Sequence, residues 1–206
     1  MDANISGILG EGEQVVWQGK MNSKMVIVSH FIAFVIILAI GFMFFNLDTI
    51  NYTSENGVPG QVSGKLVGGI VWLVGMFFVA TSYIGDIVTN YAITKKRIII
   101  KSGLIGTDFK SIYFDQIKNI IVQVGLLGKI FGTGSVKIDT GKVEISSSGG
   151  SNGNSGHVSS KIVYDVLKNI DSPYDVYKIT QESLEGRKES LYSGRADQES
   201  VDGVRK

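Results

Sequence analysis

The chain contains no cysteine. That excludes disulfides, thiolate zinc sites and a cysteine nucleophile, and it leaves the redox compartment open. Histidine is nearly as scarce. His30 and His157 stand far apart in the sequence, so a multi-histidine metal site is not expected and no cofactor is implied. Two prolines stand against 26 glycines, which points to flexible turns. A strong net charge is missing as well. Twenty basic and 19 acidic residues leave +1, so no global field points to nucleic acid. What the 206 residues do have is apolar sequence: 44% are hydrophobic, and the length allows one or two domains.

That hydrophobicity is concentrated in two runs. Residues 25–47, MVIVSHFIAFVIILAIGFMFFNL, and 66–85, LVGGIVWLVGMFFVATSYIG, contain no Asp, Glu, Lys or Arg. Each matches the roughly 20 apolar helical residues that a bilayer core requires. A buried helix of a soluble protein is rarely apolar on every face for so long. Two transmembrane helices are therefore expected, over 25–47 and 66–88. The first is not expected to be a cleaved signal peptide, because its apolar core is too long and no small-residue cleavage site follows it. Lys20 and Lys24 precede the first run, and Lys95, Lys96, Arg97 and Lys101 follow the second. The connecting loop, 48–65, carries only Lys65. The positive-inside rule then places residues 1–24 and everything after 88 in the cytoplasm, with the loop outside. Asn51-Tyr52-Thr53 in that loop fits a glycosylation sequon, a tripeptide that also arises by chance.

Ionisable groups inside a span suggest function by default. Here they are His30 and Asp86, both near the cytoplasmic boundary, where contact with water makes them inexpensive. Gly64 and Gly68 form a GxxxG, and Gly75 follows. Small residues let helices approach closely, either within the hairpin or between copies.

After the second run the pattern changes to short strands and turns. Residues 88–94 and 97–102 are rich in β-branched residues, and short breaks separate them from further strand segments at 107–114, 117–124, 135–140 and 142–147. Val136/Ile138 and Val143/Ile145 alternate as in half-buried antiparallel strands. GLLGKIFGTG at 125–134 reads as a short helical excursion whose Leu126, Leu127, Ile130 and Phe131 would plug one end of a barrel. Its glycines, Gly125, Gly128, Gly132 and Gly134, fit neither phosphate-loop spacing, so no nucleotide is expected. Residues 146–160, SSSGGSNGNSGHVSS, read as a mobile hairpin loop in which His157 is a solvated residue. KIVYDVLKNI at 161–170 fits a strand or a helix equally well. Ser172-Pro173 marks the start of a helix running to about 185, with Val176, Ile179 and Leu184 inward. A polar, disordered tail is expected over 186–206.

The order of these pieces resembles a family. EQVVWQGK supplies Glu13, Trp17, Gly19 and Lys20 before the hairpin. Tyr91, Ile93, Thr94, Arg97, Ile98, Ile99 and Gly103 follow it. Then come Ile117, Ile120, Val122, Gly128, Gly132, Gly134 and Val136, and finally Ile170, Pro173 and Val176. Over residues 11–182 this arrangement is similar to the prokaryotic pleckstrin-homology-like membrane proteins of the YdbS-like group. Two features depart from their pattern: lysine stands at a turn position where asparagine is common, and the Ser/Gly/Asn loop is long. The resemblance implies an α+β membrane protein: a transmembrane hairpin carrying a PH-like antiparallel β-barrel or sandwich over 89–185, capped by a C-terminal helix.

Fold alone does not assign function. Asp108, Asp115, Asp139 and Glu144 are scattered carboxylates with no nucleophile beside them, so an enzyme is not expected. Two readings stand. In one, the domain is a scaffold held at the bilayer that binds a protein partner, oligomerises, or serves in a larger membrane assembly. In the other, Lys95, Lys96, Arg97, Lys101 and Lys110 meet anionic lipid headgroups, each near-surface charge adding about 1 kcal/mol.

Overall fold

The two apolar runs form helices, as a backbone without polar competitors dictates. The computed structural model describes residues 3–104, 106–148 and 157–187. In it the chain divides into two units. One comprises Met1–Asn22, Thr89–Ser102 and Thr107–Lys206; the other comprises Ser23–Val88 and Gly103–Gly106.

The second unit is the hairpin. Numbering the elements from the N-terminus, α1 (Ala3–Ser6) and β1 (Val15–Lys20) precede it. Its helices are α2 (Ser23–Phe45) and α3 (Gly64–Val88), with mean hydropathies of 2.7 and 1.9, both long and apolar enough to cross a membrane. The connecting segment is itself a β-hairpin, β2 (Thr49–Thr53) on β3 (Pro59–Ser63), turned at Gly57 with a positive φ of 76°. Asn51 lies on β2 and is exposed. The glycines of the GxxxG face are consumed inside the hairpin. A Cβ on Gly68 would stand 2.7 Å from the Gly41 carbonyl oxygen and 2.9 Å from the Phe45 nitrogen. Trp72 fills the space over Gly41, donates to the Leu38 carbonyl (3.3 Å) and stacks on Phe45. His30 and Asp86 do not simply face water: the His30 Nε2 lies 3.9 Å from the Asp86 carboxylate and 3.3 Å from the Ser82 hydroxyl.

The first unit contains two open antiparallel sheets. One has the order β1–β4–β5–β6, with β4 Asn90–Thr94, β5 Arg97–Ser102 and β6 Asp108–Tyr113. The other is β7 (Asn119–Gln123), β8 (Thr133–Ser148) and β9 (His157–Asp171). The expected barrel is not closed. A 3-10 turn at Phe114–Gln116 breaks the pairing between β6 and β7 and hands the chain from one sheet to the other. The centre of the four-stranded sheet, β4 and the first half of β5, is buried on both faces, whereas most of β6 is exposed. Tyr91, Ile93, Ile98 and Ile112 line one face, and the Tyr91 hydroxyl accepts from the Lys168 amide of β9 (3.0 Å). Ala92 and Ile99 line the other, covered by Ile5, Ile8 and Leu9 of the N-terminal segment. Residues 3–22 are therefore part of this unit, not a separate cytoplasmic stretch.

Several local expectations change. The two strands expected on either side of Gly141 are one strand, β8. A bulge between Asp139 and Lys142 absorbs the glycine, which has a φ of 75°. Pairing of β8 with β9 continues to Ser148↔His157, so the ends of the expected 146–160 loop are strand. The middle of that loop and the tail beyond 187 lie outside the described residues. Residues 161–170 belong to β9, because alternate positions (Asp165, Leu167) are buried against the core. A helix, α5, occupies residues 173–187. Val176 and Thr180 are buried in it, while Ile179 and Leu184 are half-buried. The short helix α4 (Leu126–Phe131) forms where expected. It plugs nothing, since Leu126 and Ile130 are 83% and 74% exposed.

Candidate binding groove

The site is built around the two-residue turn that joins β4 to β5. Thr94, fully buried, organises it. Its hydroxyl accepts from the amides of Lys96 (3.1 Å) and Arg97 (3.0 Å) and donates to Glu13 Oε1 (2.8 Å). Lys95 and Lys96 are thus held at the tip of the turn with exposed side chains.

Arg97 points the other way. It donates from Nε to Glu13 Oε1 (3.0 Å) and from Nη2 to Glu13 Oε2 (2.8 Å) and to the Ile8 carbonyl (2.8 Å). A third nitrogen, Nη1, reaches the Ser111 hydroxyl (3.1 Å). The Gly10 amide also donates to Glu13 (2.9 Å). The Glu13 side chain is only 2% exposed. The Arg97 hydrogen bond is the chief cause that lowers the Glu13 pKa from 4.5 to about 2. Burial opposes it, and the Gly10 and Thr94 donors add to it. Arg97 is therefore a structural cation that fixes the N-terminal segment onto the sheet, and it leaves the set of headgroup candidates.

The remaining candidates do not form one patch. Lys110 is bound to the buried Asp165 carboxylate, which also lies 3.7 Å from Lys142. Lys101 pairs with Asn90 at the opposite end of β5 from the Lys95–Lys96 turn. Lys95 and Lys96 border a cavity among the described residues. It is a groove of about 540 Å³ between β1, the turn and α5. Val16 and Ile179 supply apolar surface, Lys95, Lys96 and Arg187 supply positive charge, and Glu182 supplies the one carboxylate. Ser183 also lines it, its hydroxyl donating to the Ile179 carbonyl (2.8 Å).

The scattered carboxylates stay scattered. Asp108 lies opposite Ser102, Asp139 opposite Asn119 and Tyr164, and Glu144 opposite Lys161. Asp139 serves the bulge by accepting from the Gly141 amide (2.7 Å). Among the described residues, no cluster of three or more His, Asp or Glu side chains is placed to hold a metal. The sequence carried one missed signal for the buried pair: Glu13, the second glutamate of EGEQ just before the apolar VVW of β1. Nothing in it linked Val16 to Ile179, which only the fold brings together.

The profile of the bacterial PH domain matches residues 25–159, a span that holds nearly all of α2, all of α3 and every strand from β4 to the start of β9. No curated protein and no solved structure matches the chain. The match covers more than half of the 206 residues and agrees with the motif order and the two-sheet unit. On that ground the chain belongs to the bacterial PH domain family.

Proposed function

We propose that this chain is a membrane-anchored, non-catalytic binding module that holds a PH-like unit at the cytoplasmic face of a bilayer and takes an acidic segment of a protein partner in its groove. The groove at the Lys95–Lys96 turn carries the reading. It combines an apolar floor with a basic rim. It also lies at the end of β4 remote from the links to α2 and α3, about 15 Å along the strand at roughly 3.4 Å per residue. A headgroup site is better placed near those links. Anchoring is supported by the two helices, of whose most apolar windows only 11% and 6% are buried, so their side chains need an apolar solvent. The cations flanking the helices favour cytoplasmic termini.

The test is photo-crosslinking in the native membrane, with a benzophenone amino acid at Val16. A single discrete adduct that disappears with Lys95→Glu/Lys96→Glu supports the groove. No adduct from Val16, Glu182 or Ser183, with the protein folded and inserted, sinks it.

A lipid-sensing reading keeps one specific observation. Lys20 and Lys101 both pair with Asn90, from either side, so they share a face of the sheet. Salt-sensitive protection of β1 and β5 amides in anionic but not neutral nanodiscs would favour it.

A further inference from the structure

The least accounted-for surface is α4. Leu126, Lys129 and Ile130 are spaced i, i+3, i+4, so they share one face of the helix, and all three are exposed. Tyr174, 67% exposed at the start of α5, borders the same shallow cleft with Gly128, Lys129 and Pro173. At 83% and 74%, Leu126 and Ile130 are the most exposed aliphatic side chains among the described residues of the two-sheet unit.

The location of α4 is fixed by hydrogen bonds. Gly132, with a φ of 67°, ends the helix, and its carbonyl accepts from the Ser172 amide (3.4 Å). Thr133 pairs with Asp171. Asp171 accepts from the Asn22 side chain (2.6 Å), and the Asn22 amide donates to the Asn169 carbonyl (2.8 Å). Asn22 is the residue immediately before α2. α4 therefore sits at the end of its own unit from which the chain departs into the apolar hairpin.

We propose that α4 is an interfacial anchor. Leu126 and Ile130 enter the boundary between headgroups and acyl chains, Lys129 extends to the lipid phosphates, and Tyr174 lies at the same depth. The occupant is the lipid surface and not a second copy. Two aliphatic residues and a tyrosine are far smaller than a stable dimer interface of about 800 Å² per partner. A two-fold contact across this face would also bring each Lys129 toward its own copy, a like-charge pair losing its water. The inference rests on the membrane-anchored reading, and its test separates the two.

The absence of cysteine allows clean single-cysteine labelling of the full chain. Leu126→Cys and Ile130→Cys, labelled with an environment-sensitive fluorophore, are compared in vesicles containing spin-labelled phosphatidylcholine. Ile36→Cys, exposed in the middle of α2, reports insertion of the hairpin. Ile145→Cys is an equally apolar control at 72% exposure, twelve residues along β8 from Thr133 and about 40 Å away at roughly 3.3 Å per residue. The expected result is strong quenching at 36, 126 and 130, at least threefold above that at 145. Quenching at 36 with 126 and 130 no better than 145 overturns the inference and leaves anchoring intact. No quenching at 36 removes the anchoring reading, and this inference with it. Self-quenching at 126 that grows with the protein-to-lipid ratio, without effect of the spin label, assigns the face to a second copy and also overturns it.

Discussion

Glu13 and Arg97 are separated by 83 residues and by two apolar helices, yet two hydrogen bonds join them in a mostly buried ion pair. The folded pKa of Glu13, about 2, lies below its ordinary value of 4.5. A depressed carboxylate contributes stability that is complete above the unfolded value and is lost as pH falls through the folded one. The contribution is at most about 3.5 kcal/mol, taking about 1.4 kcal/mol per unit, and it disappears between pH 4.5 and 2. Glu13→Gln leaves the Arg97 guanidinium without its counter-charge in a mostly buried setting, and breaking such a pair costs about 3–5 kcal/mol. Urea denaturation of the full chain in detergent, followed by Trp17 fluorescence in a Trp72→Phe background, is the measurement. The variant is expected to be destabilised near neutral pH and to lose most of the wild-type change in midpoint between pH 4.5 and 2. An unchanged midpoint at pH 7 would show that the pair is dispensable. A sequence places Arg97 among four cations and makes all of them equivalent; only the location of the Glu13 carboxylate, in the segment just before β1, singles it out.

At the scale of elements, what was legible followed periodicity, and what was not depended on distant partners. The two long helices, α4, α5 and the alternating strands could be read from residue patterns, because each has a local physical signature. The fate of Gly141 could not. A glycine between two alternating runs marks a hairpin turn or a bulge equally well, and the choice was made by β9 continuing past it to Ser148↔His157. The ambiguity of 161–170 was settled the same way, by a neighbouring strand. The glycines of α3 illustrate the limit from the other side: GxxxG indicates close packing without naming the partner. The structure spends this face on α2. A methyl on Gly68 meets backbone atoms of Gly41 and Phe45, whereas one on Gly69 meets nothing within 4 Å. Gly68→Ala is therefore expected to weaken the hairpin by about 1–3 kcal/mol, the usual cost of overpacking, and Gly69→Ala to be silent. Thermal unfolding in detergent distinguishes them. Equal behaviour of the two variants would mean that the helices separate freely and that the face is open to other copies.

The whole molecule is organised by one pairing. β1 precedes the hairpin and β4 follows it, yet they are neighbours in one sheet, with Lys20 opposite Asn90. Opposed antiparallel residues have Cα atoms about 5 Å apart. Residues 20 and 90 must therefore lie on the same side of any membrane, so the intervening segment crosses it an even number of times. The same pairing determines which part of the chain folds alone. A fragment starting at Thr89 lacks β1, the Ile5–Ile8–Leu9 cover over Ala92 and Ile99, and Glu13. It would expose one apolar face of β4 and β5 and strand the Arg97 charge. Joining Asn22 to Thr89 through a short Gly-Ser linker keeps all three and removes only the apolar helices. The joined chain is expected to be monomeric in buffer and to unfold cooperatively, and the Thr89-initiated fragment to aggregate. Size-exclusion chromatography and denaturation of the two shortened chains decide the matter. If the fragment lacking residues 1–22 is equally well folded, then β1 is an accessory strand and the sheet does not dictate the parity of the crossing. If the joined chain fails while the full protein remains folded, the hairpin itself supplies stability that the two-sheet unit does not hold.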